Sequence, residues 1–183
     1  MTYKEDLKYY LQNTDGKLNA DWTKDSTPFS NLATTGNEMC DSIGTEGKMA
    51  ALFIFHQLAI EMAKLLINYC NLYLKLAIYP VKIEFKELVE NTRYIEIITE
   101  LKNKNDFKGK QKFLQQVALL NNLRNKFGHG LVSEWWALDM NRDLVGLKEN
   151  FDNLFNTWVT CLNDLRHLVN NQQSRPEIIK LMK

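Results

Sequence analysis

The sequence predicts an all-α fold, a bundle of four to five main helices built around one long central helix. Eight glycines and three prolines in 183 residues leave long segments without a breaker. Within those segments apolar residues recur at helical spacing rather than alternating. One apolar segment, residues 45–79, is far longer than any ordinary strand. Hydrophobic residues at 45% and charged residues at 25% are ordinary for a globular chain and exclude a disordered or collagen-like one. The length suits one domain, organised as an N-terminal helix and wrapping segment over 1–44 and a bundle over 45–183.

Residues 3–13 read as a short amphipathic helix. The following thirty or so residues, through "TEG", have loop-forming composition and are expected to wrap the surface, anchored by Trp22, Phe29 and Leu32. From Thr45 the chain is apolar nearly all round, apart from a stripe of Gln57, Glu61, Lys64, Asn68, Asn71 and Lys75 at alternating steps of four and three. That stripe puts charge through the middle of the segment, which argues for a bundle helix and against a membrane span. Pro80 closes it. Residues 84–103 continue at helical spacing through Leu88, Tyr94, Ile97, Ile98 and Leu101. A turn leads to residues 110–127, where Phe113, Leu114, Val117, Leu120, Leu123 and Phe127 share a face and Gly128 supplies a helix end. A last long helix is expected over 143–171. Ser174 and Glu177 then read as a capping box for a short terminal helix that covers the bundle or a partner subunit.

The net charge of +1 conceals a contrast between segments: residues 102–126 carry +6 and the remainder −5. Lys102, Lys104, Lys108, Lys110, Lys112, Arg124 and Lys126 make up the basic stretch, which would attract an anionic ligand; the plainer reading is a solvated connection. Cys40, Cys70 and Cys161 stand apart at no metal-ligand spacing, as buried thiols in a reducing compartment would. The first residues carry no apolar signal core, so a cytoplasmic protein away from any membrane is expected.

The basic stretch ends on "LRNKFGHG", residues 123–130, which sets Arg124 five positions before His129. On an unbroken helix these side chains would diverge by about 140°. A helix end at Gly128 would let His129 fold back toward the turn that carries Arg124. An arginine fork matches two phosphate oxygens, and an imidazole exchanges protons near neutrality. Together they are two of the parts needed to cleave RNA without a metal. The rival reading pairs Arg124 with an acid and leaves His129 capping carbonyls at the helix end.

Arg124, a polar Asn125 directly after it, and His129 within "RNKFGH" resemble the motif of the HEPN superfamily, helical domains of many prokaryotic toxins, phage-defence proteins and RNA-processing factors. The resemblance spans roughly residues 45–171 and includes the order of helices. It implies a HEPN-like bundle and a metal-independent endoribonuclease without cofactor, in which two subunits of a homodimer pool their motifs. His129 would act as general base or acid, Arg124 would stabilise the phosphorane, and Asn125 would orient the phosphate or the histidine. One rival is a catalytically silent module binding RNA, a nucleotide or a protein, and a second is a plain helical interaction protein in which the polar stripe faces water and the motif is accidental. An antitoxin or a nucleotidyltransferase-type partner would fit a toxin or defence role.

Lys126, Lys108, Lys110 and Lys112 are assigned to the substrate side, together with Glu61, which would orient an active-site group from the long helix; a solvated or subunit-facing stripe residue is the plainer view of Glu61. His56 reads first as a boundary histidine bonded to a neighbouring helix, and second as catalytic. His167 reads as exposed. Trp135 and Trp136 read as core or dimer contacts, with stacking on an RNA base as the alternative.

Overall fold

The computed structural model describes residues 5, 7, 8, 26–42, 44–85, 88, 92–133 and 140–182. It is an all-α bundle with a long central helix, and among the described residues there is no strand. The helices are α1 (Ser26–Asp41), α2 (Thr45–Ala77), α3 (Tyr94–Asn103), α4 (Lys110–Ser133), the single turn α5 (Met140–Asp143), α6 (Leu147–Gln173) and α7 (Pro176–Met182). Residues 5, 7 and 8 are helical as expected, and Leu7 belongs to the core.

α2 is the axis of the bundle. It packs against α1, α3, α4 and α6. Ala51, Leu52, Phe55, Leu58, Met62 and Leu66 are among its fully enclosed residues. The expected polar stripe is its outer edge, where Gln57, Glu61 and Asn68 are exposed. By length and composition alone α2 would cross a membrane, yet 56% of its most apolar window is buried inside the bundle. Opposite it, α6 contributes Phe151, whose ring stacks on Phe55 at 4.1 Å, and Trp158, whose indole N–H donates to the Met62 carbonyl at 3.3 Å. Cys70 and Cys161 are enclosed in this core as expected, and burial pushes each thiol up to about 12.

Several local expectations are corrected. Ser26–Asp41, read as wrapping loop, is a helix. It lies close on α2 because Gly36 has no side chain: a Cβ there would stand 2.5 Å from the Phe55 ring. Of the expected anchors, Leu32 is exposed, the Phe29 side chain and Trp22 lie outside the described residues, and Ala33 and Cys40 make the contact instead. α3 begins at Tyr94, ten residues later than the spacing suggests, because Phe85 and Leu88 are held by tertiary contacts before the helix starts. Ser174 is not the head of a capping box. Its hydroxyl donates back to Asn171 O at 2.8 Å, ending α6, while α7 buries Ile178 and Leu181 on the bundle.

Two helix ends are closed by cations. Arg175 donates to Leu76 O at 3.2 Å and Ala77 O at 3.0 Å, at the carbonyl end of α2. Lys110 is 3% exposed and donates to Lys102 O at 3.0 Å, Lys104 O at 2.6 Å and Asn105 O at 3.4 Å. Both satisfy otherwise orphaned carbonyls and oppose the negative pole of a helix. Lys110→Met keeps the stem and removes the ammonium, so we expect a loss of about 2 kcal/mol in urea unfolding.

Candidate functional site

α4 does not end at Gly128. It runs unbroken from Lys110 to Ser133, carrying Arg124 and His129 on one continuous helix. Gly128 has no positive φ and nothing lies within 4 Å of where its Cβ would be. The fold-back of His129 is therefore overturned: the two side chains diverge by about 140° and are offset about 7.5 Å along the axis. Phe127, the residue before the glycine, is fully buried on the bundle. His129 is exposed, about 200° round from buried Phe127. The rival reading fails as well, because no helix end lies at His129, and Arg124 has no carboxylate partner among the described residues.

Arg124 instead turns into a cleft of about 750 Å³ between α2, the start of α3 and the middle of α4. From α2 come Phe53, His56, Gln57 and Ile60, at the i, i+3, i+4, i+7 spacing of one helical stripe. α4 supplies Asn121, Arg124 and Asn125, again one stripe, and the entry to α3 supplies Arg93, Tyr94 and Ile95. Arg124 donates through Nη1 to Asn125 Oδ1 at 3.1 Å, which fixes the guanidinium beside the amide. The described lining residues include two arginines and no carboxylate. Such a cleft favours anions, and the arginine donors not spent on Asn125 can still form a fork on a phosphate.

His56 is the histidine that stands beside Arg124 in the cleft. Its bond to a neighbouring helix is as expected: Nε2 lies 3.1 Å from Asn121 Oδ1 on α4. The ring is 9% exposed and rests 5.6 Å from that of Tyr94. It also opens on the cleft beside Arg124. Burial pulls its pKa below the ordinary 6.5, the Asn121 bond opposes this, and the Arg124 charge lowers it further. A lowered pKa favours the uncharged imidazole.

The remaining site candidates divide. Asn125 is in the cleft with Arg124. His129 lies one turn beyond Asn125 on nearly the same face, about 40° round. Lys110 is withdrawn as a substrate-side residue, because its ammonium is spent on the carbonyls after α3. Lys126 pairs with Asp143 at 2.5 Å. Lys108 and Lys112 are exposed, but at the start of α4; Lys112 is about 18 Å along the axis from Arg124. The basic stretch is thus no continuous patch. Lys104 is taken up by Glu100 at 2.5 Å over the Phe85 ring and is only 7% exposed. Glu61 accepts from Lys64 at 2.9 Å and from Gln57 at 3.0 Å, so it reaches the cleft only through Gln57. His167 is exposed as expected, bonded to Asn171 at 3.3 Å. Trp135 and Trp136 lie outside the described residues.

Arg93, Tyr94, Phe53 and Asn121 were not singled out from sequence. The signal available for Phe53 is the stripe through Phe53, His56, Gln57 and Ile60, which sets ring, imidazole and amide beside one another on a mostly apolar helix. Compared with protein-family models, curated proteins and solved structures, the chain matches none.

Two measurements test this geometry. Gly128→Ala should stabilise the protein by about 0.5 to 1 kcal/mol, since alanine favours a helical site with open space; a loss would mean that the backbone leaves the helix there. An NMR titration should find His56 below 6.5, lower still in Asn121→Ala and higher in Arg124→Ala. Because the folded pKa is depressed, the stability that neutral His56 contributes is complete above about pH 6.5. It is lost as the pH falls from there through the folded value.

Proposed function

We propose that this chain is a HEPN-type endoribonuclease, cytoplasmic and homodimeric, that cleaves RNA without a metal in a toxin or defence setting. The observation that carries the reading is the cleft in which Arg124 and Asn125 of the motif meet Arg93 and His56, with no carboxylate among the described lining residues. RNA presents the matching charge, and its 2′-hydroxyl is an internal nucleophile. A base takes the 2′-hydroxyl proton, the 2′-oxygen attacks phosphorus, and the P–O5′ bond breaks as O5′ receives a proton. The products are a 2′,3′-cyclic phosphate and a 5′-hydroxyl. Arg124 neutralises the charge that grows on the equatorial oxygens.

Since Arg124 and His129 of one chain diverge, their joint action requires a second subunit. Across a twofold axis, His129 of one protomer would face Arg124 of the other. An antitoxin or nucleotidyltransferase-type partner would then act by covering or modifying this seam. The unbroken helix and the exposed position of His129 equally favour a second reading, a silent module that binds RNA and lacks the proton-transfer step.

Incubation with total RNA in EDTA separates the two. The nuclease reading expects fragments ending in cyclic phosphate and a fall of about 100-fold or more in Arg124→Ala and in His129→Ala, with circular dichroism unchanged. A DNA strand of the same sequence should remain whole. RNA left intact by the parent protein supports the silent module.

A further inference from the structure

The cleft has a second character besides its charge. Phe53 is 40% exposed and Ile95 62% exposed, both beside the arginines, and the Tyr94 ring forms part of the same wall. Neither Phe53 nor Ile95 is needed to close the core, and each holds apolar surface against water at the mouth of a polar cleft. Around them Gln57, Asn121 and Asn125 offer amide donors and acceptors, and Arg93 and Arg124 offer positive charge. A ligand that satisfies all three features has a flat apolar face, a hydrogen-bonding edge and an anionic group one sugar away.

From this geometry we infer that the cleft is a subsite for one unpaired nucleotide of RNA, its base against Phe53 and Tyr94 and its phosphate at Arg124, with Arg93 at the mouth. The inference rests on the RNA reading above and adds which part of the strand is gripped and by what. Every base has a π face, so stacking grips any unpaired nucleotide, while the amides bias the choice through its edge. In a duplex both faces of each base are already covered by neighbours, so paired RNA cannot enter. The complementary charge of the two arginines distinguishes this occupant from an apolar protein surface, which would bury them without a counter-charge.

The test uses a short 2′-O-methyl RNA, which lacks the nucleophile and cannot be consumed. Its affinity for the intact protein is read by fluorescence anisotropy beside Phe53→Ala and Arg93→Gln. Phe53→Ala should weaken binding about 5- to 150-fold, the range expected for one lost base stack. In a series of oligonucleotides carrying progressively fewer bases, loss of the last base should cost the parent that same factor and cost Phe53→Ala nothing. Arg93→Gln should weaken every member of the series alike and flatten the salt dependence. Equal binding of the parent and Phe53→Ala overturns the subsite, as does equal binding of duplex and single strand, or no binding at all. A change of oligomeric state in Phe53→Ala without base coupling overturns it too, and makes this face a contact between subunits. Cleavage of total RNA without base coupling leaves the nuclease reading standing and removes the subsite; base coupling without cleavage does the reverse.

Discussion

The whole arrangement depends on covering α2. A helix of 33 residues that is apolar on nearly every side cannot stand in water, and α1, α3, α4 and α6 each take one flank of it. The stacked Phe55 and Phe151 rings and the Trp158 bond to Met62 O mark where α6 is locked on. Coverage is incomplete where α3 is only beginning and α4 is passing its midpoint. There the α2 stripe through Phe53, His56, Gln57 and Ile60 lines an open cleft at the edge of the core.

That corner is where the polar groups of three helices gather. α4 reaches it with Asn121, Arg124 and Asn125, which stand beside the helix face that buries Val117, Leu120 and Phe127. Being at the edge of the core gives Arg124 a defined direction through Asn125, and gives His56 the partial burial that keeps it neutral. A fully solvated arginine would be less well aimed, and a fully enclosed one would demand a carboxylate.

Charge is used twice in this chain. Part of the basic content serves the backbone: Lys110 and Arg175 close the carbonyl ends of α3 and α2. Another part is spent on neighbours, as Lys104 on Glu100 and Lys126 on Asp143. What remains for an anion in the cleft is carried by Arg93 and Arg124. One of these lies outside the run of positive residues that draws attention in the sequence.

The sequence by itself determined the all-α class, the long central helix with its polar edge, the inner faces of α4 and α6, and the burial of the Cys70 and Cys161 thiols. Periodic burial leaves its imprint on every turn, so such features can be read locally. It did not determine that Gly128 stays helical, because one glycine costs a helix interior only about 1 kcal/mol, too little to force an end there. Nor could it show that Lys110 is consumed by carbonyls, that Ser26–Asp41 folds onto α2 through Gly36, or that His56, Arg93 and Arg124 share a cleft. Each of these is a contact between residues from separate segments, and only the packed bundle decides which distant groups meet.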